Sequence, residues 1–306
     1  MKTSKQSLLA VLFQFVAGTT LLLSNNNNSN MFCMAAGMIH YWKTDELDGT
    51  HVSGHNIERV GSGWILKGVG DVDYDATKPA NQNYADLIWQ DTGGKVEIWF
   101  LKKNENTGEA YRHSSKHLET VDLSWRFVGV VDIDLDGTAD IVWQHNDGRI
   151  HYWKMLNGNI AARVDYLNPR AMNKNPWRLE GVIRLGRPYL VFRNAGGGQV
   201  TLWDGKLEGS NGNYVLTGYH AIHYHENVGP EWRLCGGGDI ENDDMFDEII
   251  WQQKNNGMVH YWKICSFGDC VISRGDVANP GTSWQCAGAG DVDGDGIDEV
   301  VLQHWE

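Results

Sequence analysis

Five tryptophans along the chain, Trp64, Trp125, Trp177, Trp232 and Trp284, are each followed four residues later by glycine: Gly68, Gly129, Gly181, Gly236 and Gly288. They stand 61, 52, 55 and 52 residues apart. A unit of roughly fifty residues is too short to bury a core alone, so units of this kind must stack on one another. In four of the five, an acidic loop opens seven residues after the tryptophan, at Asp71, Asp132, Asp239 and Asp291.

Each unit continues with two further signals. The first is a short apolar run ending in a polar residue, as in Leu87-Ile88-Trp89-Gln90, Ile141-Val142-Trp143-Gln144, Leu190-Val191-Phe192-Arg193, Ile249-Ile250-Trp251-Gln252 and Val300-Val301-Leu302-Gln303. The second is an alternating run ending in tryptophan, as in Val96–Trp99, Ile150–Trp153, Val200–Trp203 and Val259–Trp262. Turn residues such as Gly93-Gly94 and Asp147-Gly148 lie between them. Period-2 runs of β-branched and aromatic residues around such turns read as hairpin strands, and no sustained helical period follows residue 37.

The fifth unit stops after Gln303, before its third strand, and that strand stands at the other end of the chain as Met38-Ile39-His40-Tyr41-Trp42-Lys43, nearly a copy of Met258–Lys263. A ring sealed by both ends removes exposed sheet edges and joins the termini. The expected fold is therefore all-β: a five-bladed β-propeller of four-stranded antiparallel blades over residues 37–306, closed by N- and C-terminal strands in one shared blade.

Residues 1–36 differ. Lys2 and Lys5 precede an apolar stretch from Leu8 to Leu23, and an Asn-rich run from Asn25 to Asn30 follows. This resembles a secretory signal peptide with its cleavage point at Ser24 or Ala36. The stretch is short for a membrane span of about 20 apolar residues, and an uncleaved anchor is the alternative. The expected location is secreted or at the cell surface. Cys265 and Cys270 flank a four-residue turn and are candidates for a hairpin disulfide in an oxidising compartment. Cys235 and Cys286, three and two residues after their tryptophans, should point to opposite strand faces and are not expected to pair. A net charge of −13 argues against a nucleic-acid partner, which needs a basic face.

The acidic loops carry the clearest chemistry. In Asp132-Ile-Asp134-Leu-Asp136-Gly137-Thr-Ala-Asp140, carboxylates stand at positions 1, 3, 5 and 9, and a glycine at 6 permits the turn that brings the later ligands back. Three or four carboxylates in nine residues repel one another without a cation, and Ca²⁺ takes six to eight oxygens at roughly 2.3–2.6 Å. The same spacing recurs at Asp291, Asp293, Asp295 and Glu299. In the first unit Asp71, Asp73 and Asp75 start the pattern, and an insertion delays the closing acid to Asp86. The fourth reads Asp239, Glu241 and Asp243, closed by Asp247 or, by strand register, Glu248. The third, Arg184–Pro188, has no carboxylate. Three to four calcium sites are expected, with none in the third unit.

Loops of the form DxDxDGxxD, after a Trp-x-x-x-Gly strand and before an apolar strand and an IW or YW strand, resemble FG-GAP/VCBS repeats, the blades of integrin-alpha-like β-propellers. The resemblance covers residues 37–306 and implies calcium on one face. It departs from the family in its five blades, where six or seven are usual, and in its metal-free third unit. Family members serve in cell adhesion, surface recognition and, in some lectins, sugar binding; the motif does not choose among them.

Most tryptophans occupy repeat positions and are expected to pack between blades. In the third strand, His40, His151 and His260 share a slot, each with a tryptophan two residues later, at Trp42, Trp153 and Trp262. Facing a groove, such pairs would stack a sugar ring and bond its hydroxyls; the plain alternative is a half-buried strand face. The first functional expectation is thus a lectin-like module binding glycans, with multivalent avidity. The second is a cell-adhesion propeller binding extracellular proteins. A polysaccharide-active enzyme ranks third, because the clustered acids are already assigned to the loops and no nucleophile elbow is present.

Overall fold

The computed structural model describes residues 37–44, 50–165, 177–204, 206–207, 214–215, 227–241, 248–265 and 270–305. Among these residues, twenty-one strands account for nearly all regular structure, with one three-residue 3₁₀ turn at Ala80–Gln82. Among the described residues, no helix is long and apolar enough to cross a membrane; the leader lies outside them.

In chain order the first two strands are β1 (Gly37–Thr44) and β2 (His51–Val60). Blade 1 follows as β3 (Trp64–Gly70), β4 (Asp86–Asp91), β5 (Lys95–Lys103) and β6 (Ala110–Thr120), and blade 2 as β7 (Trp125–Val131), β8 (Asp140–His145), β9 (Ile150–Leu156) and β10 (Asn159–Asp165). Blade 3 is β11 (Trp177–Arg184), β12 (Pro188–Asn194) and β13 (Val200–Asp204). Next to it in sequence is a separate short ladder of β14 (Lys206–Leu207) with β15 (Tyr214–Val215). Blade 4 is β16 (Trp232–Gly238), β17 (Glu248–Gln253), β18 (Val259–Ile264) and β19 (Val271–Ala278). Blade 5 combines β20 (Trp284–Gly290) and β21 (Glu299–His304) with β1 and β2, in the order β2-β1-β21-β20. Every ladder is antiparallel, and Ile39 lies opposite Gln303 and Trp42 opposite Val300. The two ends of the chain thus close the ring in one sheet, and the fold is a five-bladed β-propeller. Blade 3 departs from four strands: its described sheet has three.

The repeated glycine follows from how the blades meet. The inner strands β3, β7, β11, β16 and β20 each touch the next and complete a circuit. A Cβ on Gly68 would lie 2.6 Å from Val130, one on Gly129 2.6 Å from Val182, and one on Gly181 2.7 Å from Leu234. Only a residue without a side chain lets neighbouring inner strands come this close. Each inner strand is also bulged there, between Leu66 and Gly68 in blade 1 and at the same step in the others. A bulge places one unpaired residue on the strand and reorients its side chain. This is why Cys235, at the bulge, meets Cys286 after all: the thiols are in hydrogen-bonding contact though unbridged.

There is no single core. Five apolar clusters each straddle one junction; Leu87 and Trp89 of blade 1, for example, pack with Ile39 and Tyr41 of blade 5. In blades 3, 4 and 5 the polar residue closing the apolar run links one blade to the next. Gln303 donates to the Trp64 carbonyl and accepts from the Leu66 N–H, both at 2.9 Å. Gln252 does the same with the Trp284 carbonyl (3.0 Å) and the Cys286 N–H (2.8 Å). In blade 3 Arg193 fills that slot and donates to the Trp232 carbonyl at 3.0 Å. A disulfide joins Cys265 to Cys270, with Cα atoms 5.5 Å apart.

Candidate metal centres and the histidine–tryptophan slots

The acidic loops all lie where an inner strand ends, on one face of the ring. Their architecture comes from two acids. The closing acid starts the second strand, is fully buried, and holds the second residue of the loop. Asp86 accepts N–H bonds from Val72 (3.3 Å) and Leu101 (3.2 Å), Asp140 from Ile133 (3.1 Å) and Met155 (2.8 Å), and Glu299 from Val292 (3.0 Å). In blade 4 this place belongs to Glu248, which accepts from Ile240 at 3.1 Å. Asp243 and Asp247 lie outside the described residues. The opening acid gathers the turn: Asp132 accepts from Asp136 (3.1 Å) and Gly137 (2.9 Å), and Asp291 from Gly294 (2.6 Å), Asp295 (3.1 Å) and Gly296 (3.0 Å). Gly137 and Gly296, at position 6, have φ of 96° and 95°, in the left-handed region that glycine tolerates.

Three groups of carboxylates bring their oxygens within 4.8 Å of one another: Asp71, Asp73 and Asp86; Asp132, Asp134 and Asp136; and Asp291, Asp293 and Asp295. Asp75 does not join the first group. Its carboxylate turns to the Thr77 backbone N–H (2.9 Å) and hydroxyl (2.6 Å), because the insertion after it forms a local turn of its own. The loops are also joined around the ring. Ala139 N–H donates to the Asp71 carbonyl (2.7 Å), Ala85 to Asp291 (2.7 Å) and Asp298 to Asp239 (3.1 Å).

A lysine completes three of the acid clusters, at positions the acidic spacing alone does not mark. In three blades the residue after the third-strand tryptophan reaches across the blade edge into the acid cluster. Lys154 pairs with Asp134 and, at 2.8 Å, with Asp136. Lys43 pairs with Asp293, with Asp295 at 2.6 Å and with Glu299 at 3.8 Å, and Lys263 pairs with Glu241. The pattern Trp42-Lys43, Trp153-Lys154, Trp262-Lys263 was visible in the sequence, and its counterpart in blade 1 is Trp99-Phe100. Blade 1 is accordingly different. Among the described residues no ammonium or guanidinium lies within 4.0 Å of Asp71, Asp73 or Asp86. Burial, with Asp73 adding repulsion, pushes the Asp71 carboxyl up to about 7, and the same causes raise Asp86 well above the carboxylate range. In blades 2 and 5 burial also lifts the closing acids, Asp140 to about 8 and Glu299 to about 9.

The donor sets suit a hard divalent cation differently. Blade 1 offers three hard oxygens with no cation among them, which is the chemistry such an ion needs. In blades 2 and 5 an ammonium already stands among the acids, yet Asp134 Oδ1 and Asp293 Oδ1 are buried without a hydrogen bond. In blade 4 Glu248 Oε1 is likewise buried without one.

The histidine–tryptophan slots are built differently from an open groove. Trp153 is 3% exposed, Trp262 6% and Trp42 7%. Trp153 and Trp262 pack in the core against a second-strand tryptophan and under a fourth-strand cation. Trp143 lies 4.9 Å from Trp153 and Trp251 5.3 Å from Trp262, and the Arg163 and Arg274 guanidiniums sit 6.0 and 5.9 Å from the Trp153 and Trp262 rings. His51 lies 5.0 Å from Trp42. A sugar ring would have to displace these groups to reach an indole face. His40, His151 and His260 are half-buried, bonded to Asn56 (2.8 Å), Asp165 (2.8 Å) and Asp276 (2.7 Å), and lie against Trp284, Trp125 and Trp232 of their own blades.

No family model and no curated protein matches the sequence. Among solved structures the chain is similar to the Photorhabdus luminescens Tc holotoxin pore carrying the TccC3-D651A mutation, at 12% identity and TM-score 0.36 over 80% of this chain. It spans only 14% of that protein's length. It is also similar to the Vanderwaltozyma polyspora Nup133 β-propeller domain, at 9% identity and TM-score 0.37 over 82% of this chain and 85% of that one. The class defined by the chain's own sheets and closed ring is the five-bladed β-propeller.

Proposed function

We propose that this propeller is a non-catalytic recognition module of the FG-GAP/VCBS type, secreted or displayed at the cell surface and stabilised by calcium at blade 1. The observation that carries the metal reading is the contrast among the loops. Asp71, Asp73 and Asp86 converge with no counter-cation of their own, whereas Lys43, Lys154 and Lys263 stand where an ion would sit in blades 5, 2 and 4. Blade 1 then takes calcium most readily, and the lysines act as built-in counter-cations elsewhere. The Cys265–Cys270 bridge supports an oxidising compartment. Glu180, a carboxylate of the inner strand β11, is engaged by Arg193, which favours binding over turnover. The reading favoured for the ligand is carbohydrate, because the polar, concave junction between blades 2 and 3 has the size of a sugar site; a protein partner on a flat face is the second.

Calcium counting tests the metal reading. Native mass spectrometry of the purified chain in calcium should find one tightly held ion, lost in Asp73→Asn and retained in Arg184→Gln. Four equivalent ions, or none, would defeat it. A glycan array beside an extracellular-protein array separates the two kinds of ligand.

A further inference from the structure

Blade 3 breaks the repeat at both ends of its inner strand. At one end the acidic loop is replaced by Arg184–Pro188. At the other, the residue after each inner-strand tryptophan faces the second-strand polar residue. In blades 2 and 4 this is an arginine beside a glutamine: Arg126 donates to Gln144 Oε1 at 2.6 Å, and Arg233 Nε to Gln252 Oε1 at 3.1 Å. In blade 3 the cross-strand pair is Arg178 with Arg193. Like charges directly opposite on adjacent strands are destabilising. Arg193 is fully engaged, with Glu180 at 3.0 Å and the Gly229 and Trp232 carbonyls at 3.0 Å. Arg178 is exposed and, among the described residues, has no hydrogen-bond or ion-pair partner.

Arg178 opens into a cleft of about 830 Å³ between blades 2 and 3 that also bears Arg126, Lys254 and Trp177. The two acids of the cleft are already taken, Glu180 by Arg193 and Asp147 by Arg149 at 2.8 Å. The cleft is therefore cationic in a molecule of net charge −13. Trp177 is as unusual as Arg178. The corresponding tryptophans all carry a ring or cation partner: Trp125 has His145 at 4.8 Å, Trp284 has His304 at 4.7 Å, Trp232 has His260 at 5.8 Å, and Trp64 has the Lys95 ammonium at 5.4 Å. In blade 3 those slots hold Asn194 and Thr201, and among the described residues Trp177 has no ring or cation partner.

We propose that this cleft binds a sugar-sized oxyanion, a hexose bearing a carboxylate or phosphate, with the anion on Arg178 and the ring against Trp177. A guanidinium presents paired N–H donors matched to a carboxylate or phosphate, and such charge-assisted bonds are roughly twice as strong as neutral ones. A bound anion between Arg178 and the neighbouring cations also removes the like-charge penalty within the blade. The volume is that of a small-ligand site rather than of an inorganic ion alone. The proposal rests on the recognition reading and is independent of the metal.

The test uses the full chain, with intrinsic tryptophan fluorescence and thermal shift against D-glucuronate, glucose 6-phosphate, inorganic phosphate and glucose, each in calcium and in EDTA. Glucuronate or glucose 6-phosphate should bind, weaken with added NaCl, and weaken about tenfold or more in Arg178→Gln, with Arg178→Lys between. Trp177→Phe should weaken the sugar anions and leave inorganic phosphate unchanged, and glucose should not compete. Which anion binds separates a carboxylated from a phosphorylated source. Equal binding by wild type and Arg178→Gln, or glucose binding as tightly as glucuronate, overturns the site. A neutral glycan captured on the array regardless of Arg178 would sink the anion site and keep the recognition reading. Blank results for every probe and both arrays would sink both.

Discussion

The lysine in the metal position makes a quantitative demand. Lys154 is 31% exposed at its side chain, Asp134 10% and Asp136 32%, and the ammonium bonds both carboxylates. Removing one partner of a buried pair costs about 3–5 kcal/mol, whereas an exposed pair is worth about 0–1. A half-buried ammonium facing a buried Asp134 lies between, so Lys154→Met should cost about 2 kcal/mol in EDTA. For a domain of this size that is a fall of about 4–8 °C in Tm. The variant leaves Asp132, Asp134, Asp136 and Asp140 without a resident cation, so it should gain a calcium response the parent lacks there. At a hundredfold excess over Kd, calcium returns about 2.7 kcal/mol, enough to restore the parental Tm. Calorimetry with and without calcium reads the stability, and native mass spectrometry reads the additional ion. If Lys154→Met melts like the parent in EDTA and binds the same number of ions, the lysine is not the counter-cation and the reasoning fails.

Blade 1 gives the pH dependence. Asp71 has its folded carboxyl raised to about 7, against about 4 unfolded. Below about pH 4 both states are protonated, and between 4 and 7 only the folded state keeps the proton, so stability in EDTA should fall as pH rises through that window. Calcium needs the carboxylate, so its binding near pH 7 should release protons, measurable as a buffer-dependent calorimetric heat; no such dependence would refute the assignment. Gly129→Ala should destabilise by about 1–3 kcal/mol through overpacking against Val182, and Val182→Ala in the same chain should recover part of it; additive losses in denaturant titrations would contradict this. Leu135, at φ 59° and exposed, occupies the place of Gly294, so Leu135→Gly should be neutral or raise the Tm, and a clear loss would show that its side chain matters.

The ring was legible because its cause repeats. Each Trp-x-x-x-Gly marks an inner strand that must touch its neighbour without a side chain, and the copy of Met258–Lys263 near the N-terminus left one way to complete the last sheet. The orientation of the third strand was not legible. Alternation in Ile39-His40-Tyr41-Trp42 places His40 and Trp42 on one face, but the strand is covered on both faces, with Tyr41 and Trp42 both buried, so parity did not say which groups remain accessible. The lysines were hidden for a related reason. A charged residue after a strand tryptophan reads as a solvated end, and only the antiparallel return of β9 beside β8 brings Lys154 back to the loop twenty residues earlier. Asp75 turns away from Asp71 and Asp73 because the inserted segment to Asn83 folds on itself, with Asn83 accepting the Asp75 N–H at 3.0 Å.

In blades 1, 2, 4 and 5 the inner strand begins at its tryptophan on one side of the ring and runs into its acidic loop on the other, separated by seven residues or about 20 Å of extended chain. The link between them is one continuous inner strand, and communication over such a span requires an element with two alternative packings. Ion occupancy should therefore govern how long the molecule survives rather than how tightly it holds a guest. Titrations of the two sides should be additive, with a coupling free energy near zero.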